Sequence, residues 1–192
     1  LVRSAFEWAK NEGLVRDNPF TVLSNAFRVT EEKVVQILSP DEVMTIVLAF
    51  YEHPTYWYFA HVIEFLFLTG CRTGEACGLR WRSVADDYST ITIQERLTRR
   101  MRKGNAQLKP TKTGSIRTFQ TNERVRTILQ RRRDYRPNAK PTDFVFLTPR
   151  GNPIDAINMA NRAWKPILEA NNIPHRKLYS TRATFVTNCL SS

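Results

Sequence analysis

The chain has 192 residues, 42% of them hydrophobic and 11% aromatic, which is enough apolar surface to pack the core of one ordinary domain and excludes a disordered chain. Against 18 Asp and Glu stand 29 Lys and Arg, a formal charge of +11. A compact domain with that excess repels itself unless an anion offsets it, which points to nucleic acid and leaves a membrane surface as the weaker alternative, since no segment reads as a basic amphipathic anchor.

Leu1, Val2, Ala5, Phe6, Trp8 and Ala9 form one helical stripe. A first helix is therefore expected over residues 1–12, ended by Gly13 and blocked from continuing by Asn18-Pro19. Residues 20–38 are weakly patterned and read as a linker. Ser39-Pro40-Asp41-Glu42 supplies a cap, a first-turn proline and the glutamate of a capping box, so a helix should run from there to about Tyr51. Pro54 is expected to open a second, apolar helix that ends at Gly70, and a short helix capped by Thr73 should carry Glu75 to Leu79. From Thr90 the period changes to two, and residues 90–97, 106–112 and 116–120 read as three antiparallel strands, turned at Gly104-Asn105 and Gly114-Ser115. Residues 122–135 read as a basic helix, 144–147 as a short buried segment, 155–170 as a helix, and Tyr179 to the chain end as the last one. The expected fold class is α+β: mostly helical, with a small three-stranded antiparallel sheet at one edge.

Cys71, Cys77 and Cys189 form no CxxC pair, so neither a disulfide framework nor a zinc site is expected, and a reducing, cytoplasmic home is. The apolar run within residues 56–68 is interrupted by His61 and Glu64 and is too short to span a bilayer. There is no signal peptide, and the first residue is Leu rather than Met, so the chain reads as an excised piece of something longer.

Three segments carry candidate chemistry. Thr69-Gly-Cys-Arg-Thr-Gly-Glu75 turns sharply out of a buried helix and sets Arg72 beside a helix start, where guanidinium donors and free backbone N–H groups converge on an anion. Glu75, three residues on, is placed to pair with an arginine and hold its orientation. Lys109-Pro-Thr-Lys112-Thr-Gly114 sets Lys112 at a hairpin tip, from which an ammonium can reach a DNA backbone and donate a proton. Tyr179-Ser-Thr-Arg182 puts Tyr179 and Arg182 on one helical face. Taken singly, the three also fit a helix corner, a solvated turn and an ordinary amphipathic helix start. Asp86-Asp87 reads as a turn, and no carboxylate cluster suits a two-metal nuclease.

Together the three segments resemble the tyrosine recombinase, or phage integrase, family. Thr69, Gly70, Arg72, Gly74, Glu75, Leu79 and Trp81 match that family's first arginine box, Lys112 its hairpin lysine, and Tyr179-x-x-Arg182-Ala183-Thr184-Phe185 an altered form of its His-x-x-Arg box. The resemblance implies the family's catalytic core over residues 39–192, a linker over 20–38, and over 1–19 the last helix of a separate DNA-binding domain. It implies site-specific recombination through a 3′-phosphotyrosyl link, with no cofactor and no metal. The implied partner is double-stranded DNA, bound in the full-length parent by a homotetramer, in a bacterial or phage-encoded cytoplasmic protein. Catalytic roles fall to Arg72, Lys112, Tyr179 and Arg182, and a supporting role to Glu75. DNA-binding roles are expected for Arg96, Arg99, Arg100, Arg102, Lys103, Lys109 and Arg117, and a basic helix bearing Arg124, Arg126, Arg131, Arg132, Arg133 and Arg136 adds to the same surface. Two departures stand out. Tyr179 occupies the slot of the family's histidine, and a phenol is a poor proton acceptor near neutral pH. Ten residues follow Arg182 and none is a tyrosine, so the nucleophile is absent and this piece alone is expected to be inactive. A non-catalytic DNA-binding module and a type IB topoisomerase relative remain as alternatives.

Overall fold

The computed structural model describes residues 2–19, 37–99, 106–111 and 114–190. The chain divides into two compact units, Leu1–Val34 and Val35–Ser192. In the first, helix α1 (Val2–Asn11) is closed by a Schellman turn: the Leu14 N–H donates to the Ala9 carbonyl at 2.8 Å and the Gly13 N–H to that of Lys10 at 3.0 Å. Most of the segment read as a linker, residues 20–36, lies outside the described residues.

The second unit begins with α2 (Pro40–Glu52), started as the sequence dictates. Ser39 Oγ accepts from the Glu42 N–H at 3.2 Å, while Glu42 Oε2 accepts from the Ser39 N–H at 2.8 Å. The helix expected from Pro54 starts later. His53 Nδ1 accepts from the N–H groups of both Thr55 and Tyr56, which holds residues 54–56 in a turn. A 3₁₀ turn (Trp57–Phe59) follows, and only then α3 (Ala60–Thr69). α3 is the central element. Val62, Ile63, Phe65 and Leu66 are fully buried, at about 1.5–3 kcal/mol of transfer free energy each. It packs against α2 and against the last helix of the chain.

The short helix α4 (Thr73–Cys77) and a 3₁₀ turn (Trp81–Ser83) lead into the strands. In place of one three-stranded sheet there are two two-stranded antiparallel ladders: β1 (Thr90–Ile93) pairs with β4 (Arg117–Gln120), and β2 (Glu95–Arg99) with β3 (Ala106–Pro110). The run from Thr90 is continuous in sequence but interrupted at Gln94, so its two halves take different partners. Asp87 Oδ1 accepts from the Ser89 N–H at 3.0 Å, which makes Asp86-Asp87 the expected turn.

Helix α5 (Glu123–Tyr135), capped by Asn122, buries Val125, Ile128 and Leu129. Val145, Phe146 and Leu147 are buried as expected. The helix expected over 155–170 is one rod in three parts: α6 (Ala156–Asn158), a π-helical stretch (Met159–Trp164) and α7 (Lys165–Ala170). The widening precedes Pro166, which has no N–H to continue the ladder, and the Lys165 N–H reaches back five residues to the Ala160 carbonyl. α8 (Ser180–Leu190) closes the described chain. Among the described residues no helix is long and apolar enough to cross a membrane.

Candidate active site

The corner between α3 and α4 is built by its own backbone. Thr69 Oγ1 donates to the Phe65 carbonyl at 2.7 Å and accepts from the Cys71 N–H at 3.3 Å. Gly70 takes the left-handed conformation at φ 58°. A Cβ there would lie 2.3 Å from Phe185 Cδ1, so only glycine lets α8 approach this closely. The next residues extend and then turn into α4, with Arg72 itself at the cap position and Thr73 the first helical residue. Thr73, expected as the cap, is thus inside the helix, and Glu75 reaches back and accepts from the Arg72 N–H at 3.0 Å. Gly78 then lets α4 lie on β2, since a Cβ would come within 2.7 Å of the Leu97 nitrogen.

Glu75 is the pivot. Its side chain is 0% exposed, and both oxygens are shared between two arginines. Oε1 accepts from Arg72 Nη1 at 3.1 Å and Arg117 Nη1 at 3.3 Å; Oε2 accepts from Arg117 Nη2 at 2.6 Å and the Arg72 N–H. Burial alone would push this carboxyl up. The hydrogen bonds from Arg117 and from the backbone and side chain of Arg72 outweigh it, and the net displacement is below the ordinary value. Arg117 is raised in turn, first by its bond to Glu75. Cys71, also touched by Arg117 Nη2 at 3.8 Å, is raised chiefly by burial and is no ready thiolate.

The second arginine arrives from α8. Arg182 Nη1 donates to the Gly70 carbonyl at 2.6 Å, two residues before Arg72, so both arginines attach to the same corner. α8 is anchored there by Phe185 against Gly70 and by Thr184, whose buried hydroxyl accepts from the Leu38 N–H at 2.9 Å. In the sequence Thr184 is legible only as part of the altered His-x-x-Arg box, with no role of its own. Tyr179 precedes the first residue of α8 and is 59% exposed.

Lys112 lies outside the described residues, as do Arg100, Arg102 and Lys103. Arg99 ends β2. Arg96 and Lys109 face each other across the β2–β3 ladder, and Arg96 Nε donates to the Pro110 carbonyl at 3.2 Å. Arg117, expected on DNA, bonds to Glu75 in the structure. The register contains the reason: Arg117 sits opposite Ile93 and shares a face with Phe119, the inward side of β4.

Several arginines of the basic helix have partners within the fold. Arg132 is 4% exposed and donates through Nε to the Val145 carbonyl at 3.1 Å and through Nη2 to that of Leu147 at 3.4 Å. Arg133 stacks 3.9 Å over the Trp81 ring, Arg124 pairs with Glu64 at 2.5 Å, and Arg126 Nε donates to Thr121 Oγ1. Guanidinium groups with apolar stems serve as packing residues here, a role that a count of charges in the sequence cannot separate from DNA contact.

Nearly the whole chain is similar to known proteins. A tyrosine recombinase XerC-like protein of Caldanaerobacter subterraneus subsp. tengcongensis is 28% identical over 97% of this chain and 52% of its own length. The chain thus spans about half the length of the curated relative it matches. The Tn1549 transposon integrase, solved in complex with a circular intermediate DNA, superposes with a TM-score of 0.80 at 26% identity, over 98% of this chain and 64% of that one. A lambda integrase tetramer bound to a Holliday junction shares the fold, with a TM-score of 0.60 at 17% identity over 97% of this chain and 51% of that one. The family model described as the phage integrase family matches residues 36–192, and the chain belongs to that family.

Proposed function

We propose that the whole protein recombines double-stranded DNA at specific sites, cutting and rejoining strands through a 3′-phosphotyrosyl intermediate. The observation that carries this reading is the attachment of two arginines to one corner: Arg72 through Glu75, and Arg182 through the Gly70 carbonyl. In the proposed reaction a tyrosine oxygen forms a bond to phosphorus and the bond to the 5′-oxygen breaks. A 5′-hydroxyl later reverses both changes, so no external energy source is needed. Charge on the non-bridging oxygens meets the rigid donor forks of Arg72 and Arg182, and the leaving 5′-oxygen takes its proton from Lys112. The nucleophile is a tyrosine outside the 192 residues, and Tyr179 is a hydrogen-bonding group in the slot of the family's histidine. Residues 39–192 form the catalytic region, and residues 1–19 belong to a separate DNA-binding domain. Arg96, Arg99, Arg100, Arg102, Lys103 and Lys109 contact phosphates. Arg96 opposite Lys109 supports this, because like charges directly across a ladder are unfavourable until an anion sits between them. A homotetramer on DNA is proposed by analogy with the lambda integrase assembly, and the unpaired cysteines suit the cytoplasm.

Covalent trapping on a nicked suicide substrate tests the reading. The whole protein should form an adduct, whereas residues 1–192 alone should form none. Arg72→Lys should lose nearly as much cleavage as Arg72→Ala, because an ammonium cannot reproduce the planar fork, and DNA affinity should fall far less. Lys112→Ala should cleave ordinary DNA about 10²–10⁴-fold more slowly and recover when sulfur replaces the 5′-bridging oxygen; recovery by Lys109→Ala instead would reassign the acid. The second reading, a non-catalytic DNA-binding module, draws on Tyr179 standing in the slot of the family's histidine, and on Ala183 standing where the resemblance implies a further histidine after the arginine. Salt-dependent DNA binding with no adduct from the whole protein would favour that reading.

A further inference from the structure

We propose that Arg117 is a positioning residue of the cleavage centre: it clamps Glu75 and so holds Arg72 in register with the start of β4, the strand that follows Lys112 in the chain. The inference rests on the recombinase reading above and assigns Arg117 a role other than DNA contact. A carboxylate offers about four acceptor directions. Those of Glu75 are filled by two donors from Arg72 and two from Arg117. Arg72 holds Glu75 through a single side-chain nitrogen, while Arg117 supplies both of its terminal nitrogens. With Arg117 gone, a fully buried carboxylate keeps one guanidinium and is free to rotate, and the Arg72 fork rotates with it.

The clamp also spans the fold. Arg72 caps α4, whereas Arg117 is the first residue of β4. Just before β4, Thr111 Oγ1 donates to the Ser115 carbonyl at 2.8 Å and the Gly114 N–H donates to the Thr111 carbonyl at 3.0 Å; these bonds lie in the connection between β3 and β4, which pair with β2 and β1 and not, as the expected hairpin around Lys112 required, with each other. The Glu75–Arg117 pair therefore ties two chain segments that hold the phosphate-binding arginine and the proposed acid, 42 residues apart at the contact. Both terminal nitrogens of Arg117 are directed at a carboxylate whose side chain is 0% exposed.

Arg117→Gln and Arg117→Lys test this through two readouts. In the 192-residue chain, hydrogen exchange at the Arg72 amide, which is held by Glu75, should speed up about tenfold or more in Arg117→Gln, and less in Arg117→Lys. In the whole protein, Arg117→Gln should slow suicide-substrate cleavage about 10²-fold, the scale of a misplacement near 1 Å. The Kd for the same DNA should stay within about threefold, and Arg117→Lys should recover part of the rate. If Arg117→Gln does not fold, Arg117→Lys carries the test, with intermediate losses in both readouts at unchanged Kd. Unchanged exchange at Arg72 overturns the clamp. A fall in affinity matching the fall in cleavage, with a salt slope lower by about one, makes Arg117 a phosphate contact and also overturns it. A whole protein that forms no adduct with Arg117 intact refutes the recombinase reading alone, and the exchange measurement still judges the clamp.

Discussion

Replacing Gly70 by alanine tests the joint that brings α8 to the arginine corner. Two costs combine. The residue sits at φ 58°, where an alanine is disfavoured by about 1–2 kcal/mol. Its new methyl would also lie 2.3 Å from Phe185 Cδ1, far inside the ordinary contact distance of about 3.5–4 Å. Relieving that overlap by moving the ring or the helix costs about 1–3 kcal/mol, as overpacking does elsewhere. The sum, about 2–5 kcal/mol, is a large share of the stability of a domain this size. Gly114 provides the control: φ is 70°, but nothing lies within 4 Å of a Cβ, so Gly114→Ala should lose only the backbone part. Urea unfolding of the two variants should separate them by about 1–3 kcal/mol at equal m-value. In a double-mutant cycle, Gly70→Ala should cost less on a Phe185→Ala background than in the wild type. Equal losses at Gly70 and Gly114, or no relief from Phe185→Ala, would refute the idea that close approach of α8 fixes this glycine. Because Arg182 lies one turn before Phe185 and bonds to the Gly70 carbonyl, the same substitution in the whole protein should impair cleavage more than DNA affinity.

Within one run of three arginines, Arg132→Ala should cost about 2–4 kcal/mol, leaving a cavity and two unpaired carbonyls, while the exposed Arg131→Ala should stay within about 0.5 kcal/mol by the same urea titration; equal effects would contradict the buried placement of Arg132. His61 is lowered to about 4, mainly by burial and then by the Arg132 charge. Its folded pKa lies below the unfolded value, so its neutral form is favoured by folding: the contribution is complete above about pH 6.5 and is lost as pH falls toward 4. Wild type should therefore lose about 2 kcal/mol more than His61→Gln between pH 7.5 and pH 5, and identical pH slopes would exclude this source. A thiol reagent should titrate Cys189 alone in the native chain and all three cysteines in guanidinium, because Cys71 and Cys77 are buried and Cys77 is pushed up to about 12 by that burial; rapid native reaction of two thiols would count against the packing.

The sequence by itself determined what local chemistry controls. The Ser39 capping box, the Gly13 helix stop, the left-handed Gly70 and the period-two strands depend on neighbours within a few residues, and each of those features is in the structure. Arg72, Glu75 and Arg182 were legible as candidates because their spacing matches a family pattern, and Glu75 does pair with Arg72. Tertiary structure alone decided the rest. The split of the sheet into two ladders depends on which strands find each other across a break at Gln94, and pairing partners leave no mark on either strand alone. The fate of each arginine depends on what lies opposite it. Arg117, Arg132 and Arg133 share one side-chain chemistry with the exposed Arg131, yet meet a buried carboxylate, two backbone carbonyls and an indole ring, respectively. A guanidinium with a long apolar stem is equally at home in water, on phosphate or in a core, and only the groups that the fold brings to it choose among these.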